Sequence, residues 1–103
     1  MLIYSIKISE TASQDMKILS ETILYKFDAP RTAFKYIQEL LNTIQSLRTC
    51  AHVYQPSNNT FLQLKYGLFV RRVNYKKMAV IYTIHDKVVF IHRIIPQSII
   101  NDL

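Results

Sequence analysis

The feature that most restricts the fold is a C-terminal block in which three runs rich in Val, Ile, Tyr and Phe follow one another with almost no chain between them. The runs are Leu68 to Val73, Lys77 to Ile84 and Val88 to Ile95, separated by Asn74-Tyr75-Lys76 and by His85-Asp86-Lys87. Branched and aromatic side chains suit a pleated, half-buried surface, so each run reads as a strand. A parallel crossover needs a dozen or more residues, so separators this short allow only antiparallel hairpins. The last two runs are apolar on both faces, which predicts central strands with helices packed on one side.

Those helices are expected upstream. Residues 2 to 8 alternate with Leu2, Tyr4, Ile6 and Ile8 on one face, the period of a half-buried strand. Ser9 or Thr11 offers an N-cap, and Thr11 with Gln14 three residues later resembles a capping box. Ala12, Met16, Leu19, Ile23 and Phe27 then form one apolar helical stripe, predicting a helix from about residue 11 to 27. Asp28-Ala29-Pro30 breaks it, because proline lacks the N–H and clashes with the preceding turn but suits the start of a new helix. The second stripe is Ala33, Ile37, Leu40, Ile44 and Leu47, widened by Phe34 and Leu41, and the short link makes the two helices antiparallel neighbours. Thr49 to Thr60 reads as a loop, the pattern is β from Phe61 onward, and Gln97 to Leu103 is too short for another full helix. The expected class is α+β, in the order β-α-α-β-β-β, with an antiparallel helical hairpin packed on a twisted, mainly antiparallel sheet. At 103 residues, residues 1–103 are expected to form a single domain.

Composition removes several kinds of chemistry. One cysteine, Cys50, makes no internal disulfide, and His52, His85 and His92 have no zinc-ligand spacing. A glycine-rich phosphate loop cannot be built with Gly67 alone. No metal or cofactor is therefore expected. The start of the chain lacks an export signal and no apolar run approaches about 18 residues, so a soluble cytoplasmic protein without membrane contact is expected.

The charge is unevenly placed. Residues 1 to 64 carry six basic and five acidic side chains, whereas residues 65 to 103 carry seven basic against two acidic, so five of the six net positive charges lie in the last 39 residues. Such asymmetry favours an acidic or polyanionic partner.

The opening YSIKIS, the A..D of Ala12 to Asp15, a Pro-started second helix ending I..L at Ile44 to Leu47, and G…RRVNYKKMAVIYTI…VVFIHRI from Gly67 to Ile94 together resemble the RelE/ParE superfamily of toxins from type II toxin–antitoxin systems, over nearly the whole chain. The resemblance implies a growth-inhibiting toxin bound in a hetero-oligomer by a cognate antitoxin protein. Its target would be the ribosome and its mRNA, cut by RelE-like endoribonucleases, or DNA gyrase, inhibited and trapped on cleaved DNA by ParE-like members.

The nuclease branch, as the resemblance implies, needs an arginine in the middle strand just before an LVY segment and further Arg, His or Tyr near the C-terminus. Here the segment is Met78-Ala79-Val80-Ile81-Tyr82, so Ala79 stands where the arginine is expected, and Pro96-Gln97-Ser98 follows the last strand without an acid or base. The expected action is therefore ParE-like, with an RNase, or an inactive relative that still binds antitoxin, as alternatives. The weak catalytic candidates are Arg71, Arg72, Lys77 and Arg93. The candidates for binding target or antitoxin are Lys65, Arg71, Arg72, Lys76, Lys77 and Arg93. Arg71 and Arg72, adjacent on a strand, are expected on opposite faces, and so are His92 and Arg93. Arg93, inside an apolar strand, must pair with a carboxylate such as Glu21 or Glu39 or else open onto a groove.

Overall fold

The structure is a computed structural model, described here for residues 3–101, with nothing said of the side chains of Phe27 and Asn101. The elements run β1 (Ser5–Ile8), α1 (Glu10–Phe27), α2 (Pro30–Cys50), a short 3-10 turn (Ala51–Val53), α3 (Thr60–Tyr66), β2 (Arg71–Tyr75), β3 (Met78–His85), β4 (Val88–Pro96) and α4 (Gln97–Asn101). The sheet order is β1-β4-β3-β2. The two hairpins β2–β3 and β3–β4 are antiparallel, and β1 joins the outside of β4 in parallel.

Local chemistry explains most of the boundaries. Ser9 is the N-cap of α1, its hydroxyl accepting the Ala12 N–H at 2.9 Å, so the expected choice between Ser9 and Thr11 falls on Ser9. Asp28 turns into the left-handed region at φ 46° and its N–H closes the helix on Leu24 O at 2.9 Å. Pro30 then opens α2, which runs alongside α1. Both hairpin turns are shorter than expected, Lys76-Lys77 and Asp86-Lys87, each with a positive φ at its first residue.

The helical hairpin covers one face of the sheet. Ala12, Leu40, Ile44 and Leu47 meet Val73, Val80, Tyr82, Val89, Ile91 and Ile94 in the larger core, with Tyr4 buried and Ile6 and Ile8 packed at its margin. Leu2 of the expected first strand lies outside the described residues, as does the Phe27 side chain of the first stripe. Phe34 does not widen the second stripe: it is 71% exposed.

Three expectations need correction. Thr60–Tyr66 is a helix, not the start of the β region, because Asn59 Oδ1 caps it on Leu62 N at 2.9 Å and Gly67, at φ 105°, ends it. Helix α2 and the 3-10 turn use up the beginning of the expected loop. A five-residue helix also follows β4, fastened where Gln97 N–H donates to Lys77 O at 2.8 Å and its side-chain amide to Lys76 O at 2.7 Å. As a result the sheet is covered on both faces. Leu62 of α3 and Ile100 of α4 cover Val70, Ala79 and Ile81 in a second, smaller core.

Candidate functional site

The basic side chains singled out from the sequence fall into four separate places. Arg71 and Arg72 do point to opposite faces. Arg71 pairs across the ladder with Tyr82, and both hold the turn after α2: the Arg71 guanidinium donates to Tyr54 O and His52 O, and the Tyr82 hydroxyl to Ala51 O at 2.7 Å. Burial pushes the Tyr82 pKa upward, so that hydroxyl stays a donor. Both of the Arg71 bonds are made by one of its terminal nitrogens, and its Nε is buried without a hydrogen-bond partner. Arg72 pairs with Ile81 and turns to the opposite face, into an open polar cavity of about 630 Å³ shared with Gln55, Asn58, Asn59, Asn74 and Ile100.

Lys76, in the β2–β3 turn, is held against α2. Its ammonium lies 5.4 Å from the Tyr36 ring centre, 5.5 Å from that of Tyr75 and 4.0 Å from Glu39 Oε2. The Tyr75 hydroxyl donates to the same carboxylate oxygen. That hydrogen bond, assisted by Lys76 and Lys35, holds the Glu39 carboxyl below the usual range, while burial and Glu39 push Tyr75 up to about 12. Lys77 is exposed on the turn and contributes its backbone carbonyl to α4. Lys65 projects from α3, its ammonium 5.9 Å from the Phe61 ring centre and 5.8 Å from that of Tyr66.

Arg93 is the most constrained of the set. Its Nε and terminal nitrogen donate to the two oxygens of Asp15 at 2.8 and 3.1 Å, and Asp15 Oδ2 also accepts the Ile94 N–H at 2.9 Å. The partner is thus a carboxylate of the first helix, but Asp15 rather than Glu21 or Glu39. A bulge makes this possible. Ile81 pairs with Arg93 and Tyr82 with Ile91, so His92 is an extra residue in β4. The expected opposition of His92 and Arg93 is lost, and both lie on the side of Tyr66: the His92 ring stacks on it at 4.8 Å, and Arg93 lines the same cleft as Tyr66. His92 Nε2 shares a hydrogen bond of 2.7 Å with Thr83 Oγ1, and burial lowers its pKa. Asp15 is the residue sequence reasoning missed. Asp15 stands in the A..D pattern without a role, and the helix that carries Tyr66 reads as part of the β region, which conceals the contact of Tyr66 with His92.

Nothing in this arrangement converges on a single reacting centre. The middle strand presents Ala79 and Ile81 to the outer face, both wholly buried beneath α3 and α4. Among the described residues no group of three His, Cys, Asp or Glu side chains is placed to hold a metal ion, and no helix is long and apolar enough to cross a membrane. Cys50 is partly exposed, its thiol bonded to Ser46 O at 2.9 Å.

A helical hairpin on a mixed four-stranded sheet, with its basic residues on the sheet, its turns and a short added helix, is the architecture of small toxins of type II toxin–antitoxin systems. The family model described as "ParE toxin of type II toxin-antitoxin system, parDE" matches residues 6–100, and the chain belongs to that family. Two solved structures share the fold. One is the chromosomal ParDE toxin–antitoxin system from P. aeruginosa, at TM-score 0.74 and 18% identity, covering 91% of this chain and 96% of that one. The other is the toxin–antitoxin complex RelBE2 from Mycobacterium tuberculosis, at TM-score 0.59 and 18% identity, covering 93% of each. No curated protein matches the chain.

Proposed function

We propose that this toxin arrests growth in the cytoplasm by a ParE-like action, direct contact with DNA gyrase, and that a cognate antitoxin neutralises it. The observation that carries the target is the outer face of β3. An RNA-cleaving relative would need a cation there to stabilise the charged transition state, and each missing stabiliser of that kind raises a barrier by roughly 2.7 to 4 kcal/mol. Here the position is Ala79, sealed beside Val70 under Leu62 and Ile100.

The other candidates support the same reading. Arg93 is occupied by Asp15 and Arg71 by two backbone carbonyls, while Lys77 sits on a turn. Of these four, Arg72 alone opens onto the polar cavity, whose lining among the described residues includes Tyr54 but no His, Asp or Glu. Mapping transcript ends during growth arrest tests the choice of target. Intact messages are expected, and cuts clustered at the ribosomal A site would replace this reading with the endoribonuclease.

A further inference from the structure

Strand β2 puts Arg72 and Asn74, two residues apart, on the outer face of the sheet, opposite Ile81 and Ala79 of β3. With residues 54–59 they bound the open polar cavity of about 630 Å³, within the roughly 300 to 1,000 Å³ of small-ligand sites. The loop that completes the wall is tied down. Pro56 bridges Arg71, the Ser57 N–H donates to Val70 O at 2.7 Å, the Ser57 hydroxyl accepts the Asn59 N–H at 3.1 Å, and Gln63 Nε2 donates to Ser57 O at 2.9 Å. The wall is therefore in place before anything binds, which lowers the ordering cost of a ligand.

The polar groups of this wall are largely unspent. The side chains of Arg72, Gln55, Asn58 and Asn74 all line the cavity, and none makes a hydrogen bond or ion pair with a described residue. No Asp or Glu belongs to the lining among the described residues. Arg71, Arg93 and Lys76 are bound to protein oxygens and Lys65 lies over the rings of α3, so one cation, Arg72, serves the cavity. Tyr54 adds an aromatic ring to the same lining.

We propose that this cavity binds a nucleoside monophosphate, with Arg72 forked onto the phosphate and the amides of Asn58 and Asn74 on the edge of the base. The inference goes beyond growth arrest and is independent of the gyrase target. One guanidinium matches one phosphate group, whereas a di- or triphosphate would set further negative charge against neutral amides. Each carboxamide carries a donor and an acceptor side by side, the pattern a base edge presents. Inorganic phosphate or a carboxylate would use only the amide N–H groups and leave their oxygens unpaired. A nucleic-acid strand needs cations along a track, and the basic side chains of this chain fall in separate places. Because the donors are side chains, no glycine-rich loop is required.

Calorimetric titration of the four 5′-ribonucleoside monophosphates into the full chain tests this, with the matching nucleosides and inorganic phosphate alongside. At least one nucleotide is expected to bind about tenfold or more tightly than its nucleoside or phosphate alone. Arg72→Gln is expected to weaken it about tenfold or more, and Arg72→Lys to recover part of the loss, because an ammonium has no fork. Asn74→Ala should weaken the nucleotide several-fold and leave phosphate unchanged. Lys17→Gln, which removes an exposed charge from α1, should bind within about twofold of wild type. If Arg72→Gln loses sheet content by circular dichroism, Asn58→Asp in the exposed loop carries the test, since the added negative charge should weaken binding to a similar degree. No binding by the wild-type chain up to about 5 mM, or wild-type affinity in folded Arg72→Gln or in Asn58→Asp, overturns the proposal. So does inorganic phosphate bound as tightly as every nucleotide. A single-stranded ribo-oligonucleotide bound at least about tenfold more tightly than the mononucleotide with a steep salt dependence, or tetraglutamate displacing the nucleotide at lower concentration, overturns it in favour of a strand or an acidic peptide.

Discussion

Arg93 and Asp15, 78 positions apart in the chain, form a two-pronged ion pair that joins the last strand to the first helix, at 2.8 and 3.1 Å. β1 pairs with β4 only as far as Ile91. Past that point the edge of β4 is met by side chains instead, the Ser9 hydroxyl donating to His92 O at 2.9 Å and Asp15 accepting the Ile94 N–H.

Removing that carboxylate should therefore leave three N–H donors unmet in a partly buried place. Asp15→Ala is expected to cost roughly 2 to 3 kcal/mol, below the 3 to 5 of a fully buried pair because the Arg93 side chain is 34% exposed. Asp15→Asn should cost less, since the amide oxygen still accepts one hydrogen bond. Urea unfolding of both variants measures this, and equal stability of Asp15→Ala and wild type would contradict it.

How far the sequence led is clearest at this pair. Residue patterns placed both helices of the hairpin and all four strands within a few residues, since burial on one face leaves a regular pattern. The need of Arg93 for a carboxylate was equally legible, because an unpaired cation in an apolar strand is costly. Its partner was not, because one extra residue at His92 re-aims the side chains that follow, and alternation cannot register a bulge. Helix α3 was missed for another reason. Its seven residues are too few to show a period amid apolar neighbours, although the Asn59 cap and Gly67 stop were both present. The covering of the outer face followed from that omission, and with it the burial of Ala79.

Ala79 supplies a second prediction. Ala79→Arg, which restores the cation implied for the nuclease branch, is expected to destabilise the fold by about 3 kcal/mol or more through overpacking and an unpaired buried charge. It should confer no RNA cleavage. Thermal unfolding and a ribosome-dependent cleavage assay check both parts, and a stable, cleaving variant would contradict the account of this face.

His92 predicts a slope in mild acid. Its pKa is lowered by burial from the ordinary 6.5, so the unfolded chain binds the proton first and stability falls as pH drops below about 6.5, levelling off below the folded value. His92→Asn should flatten that part of the profile. Denaturant midpoints between pH 7.5 and 5 read it directly, and an unchanged slope in the variant would assign the effect elsewhere.

Tyr75 and Glu39 act at the two ends of the pH scale. With Tyr75 raised to about 12 from 10.0, its contribution is complete below pH 10 and is lost as pH rises towards 12. Glu39 is lowered from 4.5, so its contribution is present above that value and is lost as pH falls through the folded pKa. Tyr75→Phe should weaken both losses, because it removes the buried hydroxyl that titrates at the alkaline end and the hydrogen bond that lowers Glu39 at the acid end. Melting temperatures across the full pH range test this against wild type.

The central claim, gyrase as the target, is tested most directly by adding the purified, antitoxin-free chain to DNA gyrase with relaxed plasmid and ATP. The account predicts loss of supercoiling together with accumulation of cleaved DNA, at concentrations that also arrest growth. Supercoiling that proceeds at the normal rate under those conditions would contradict it.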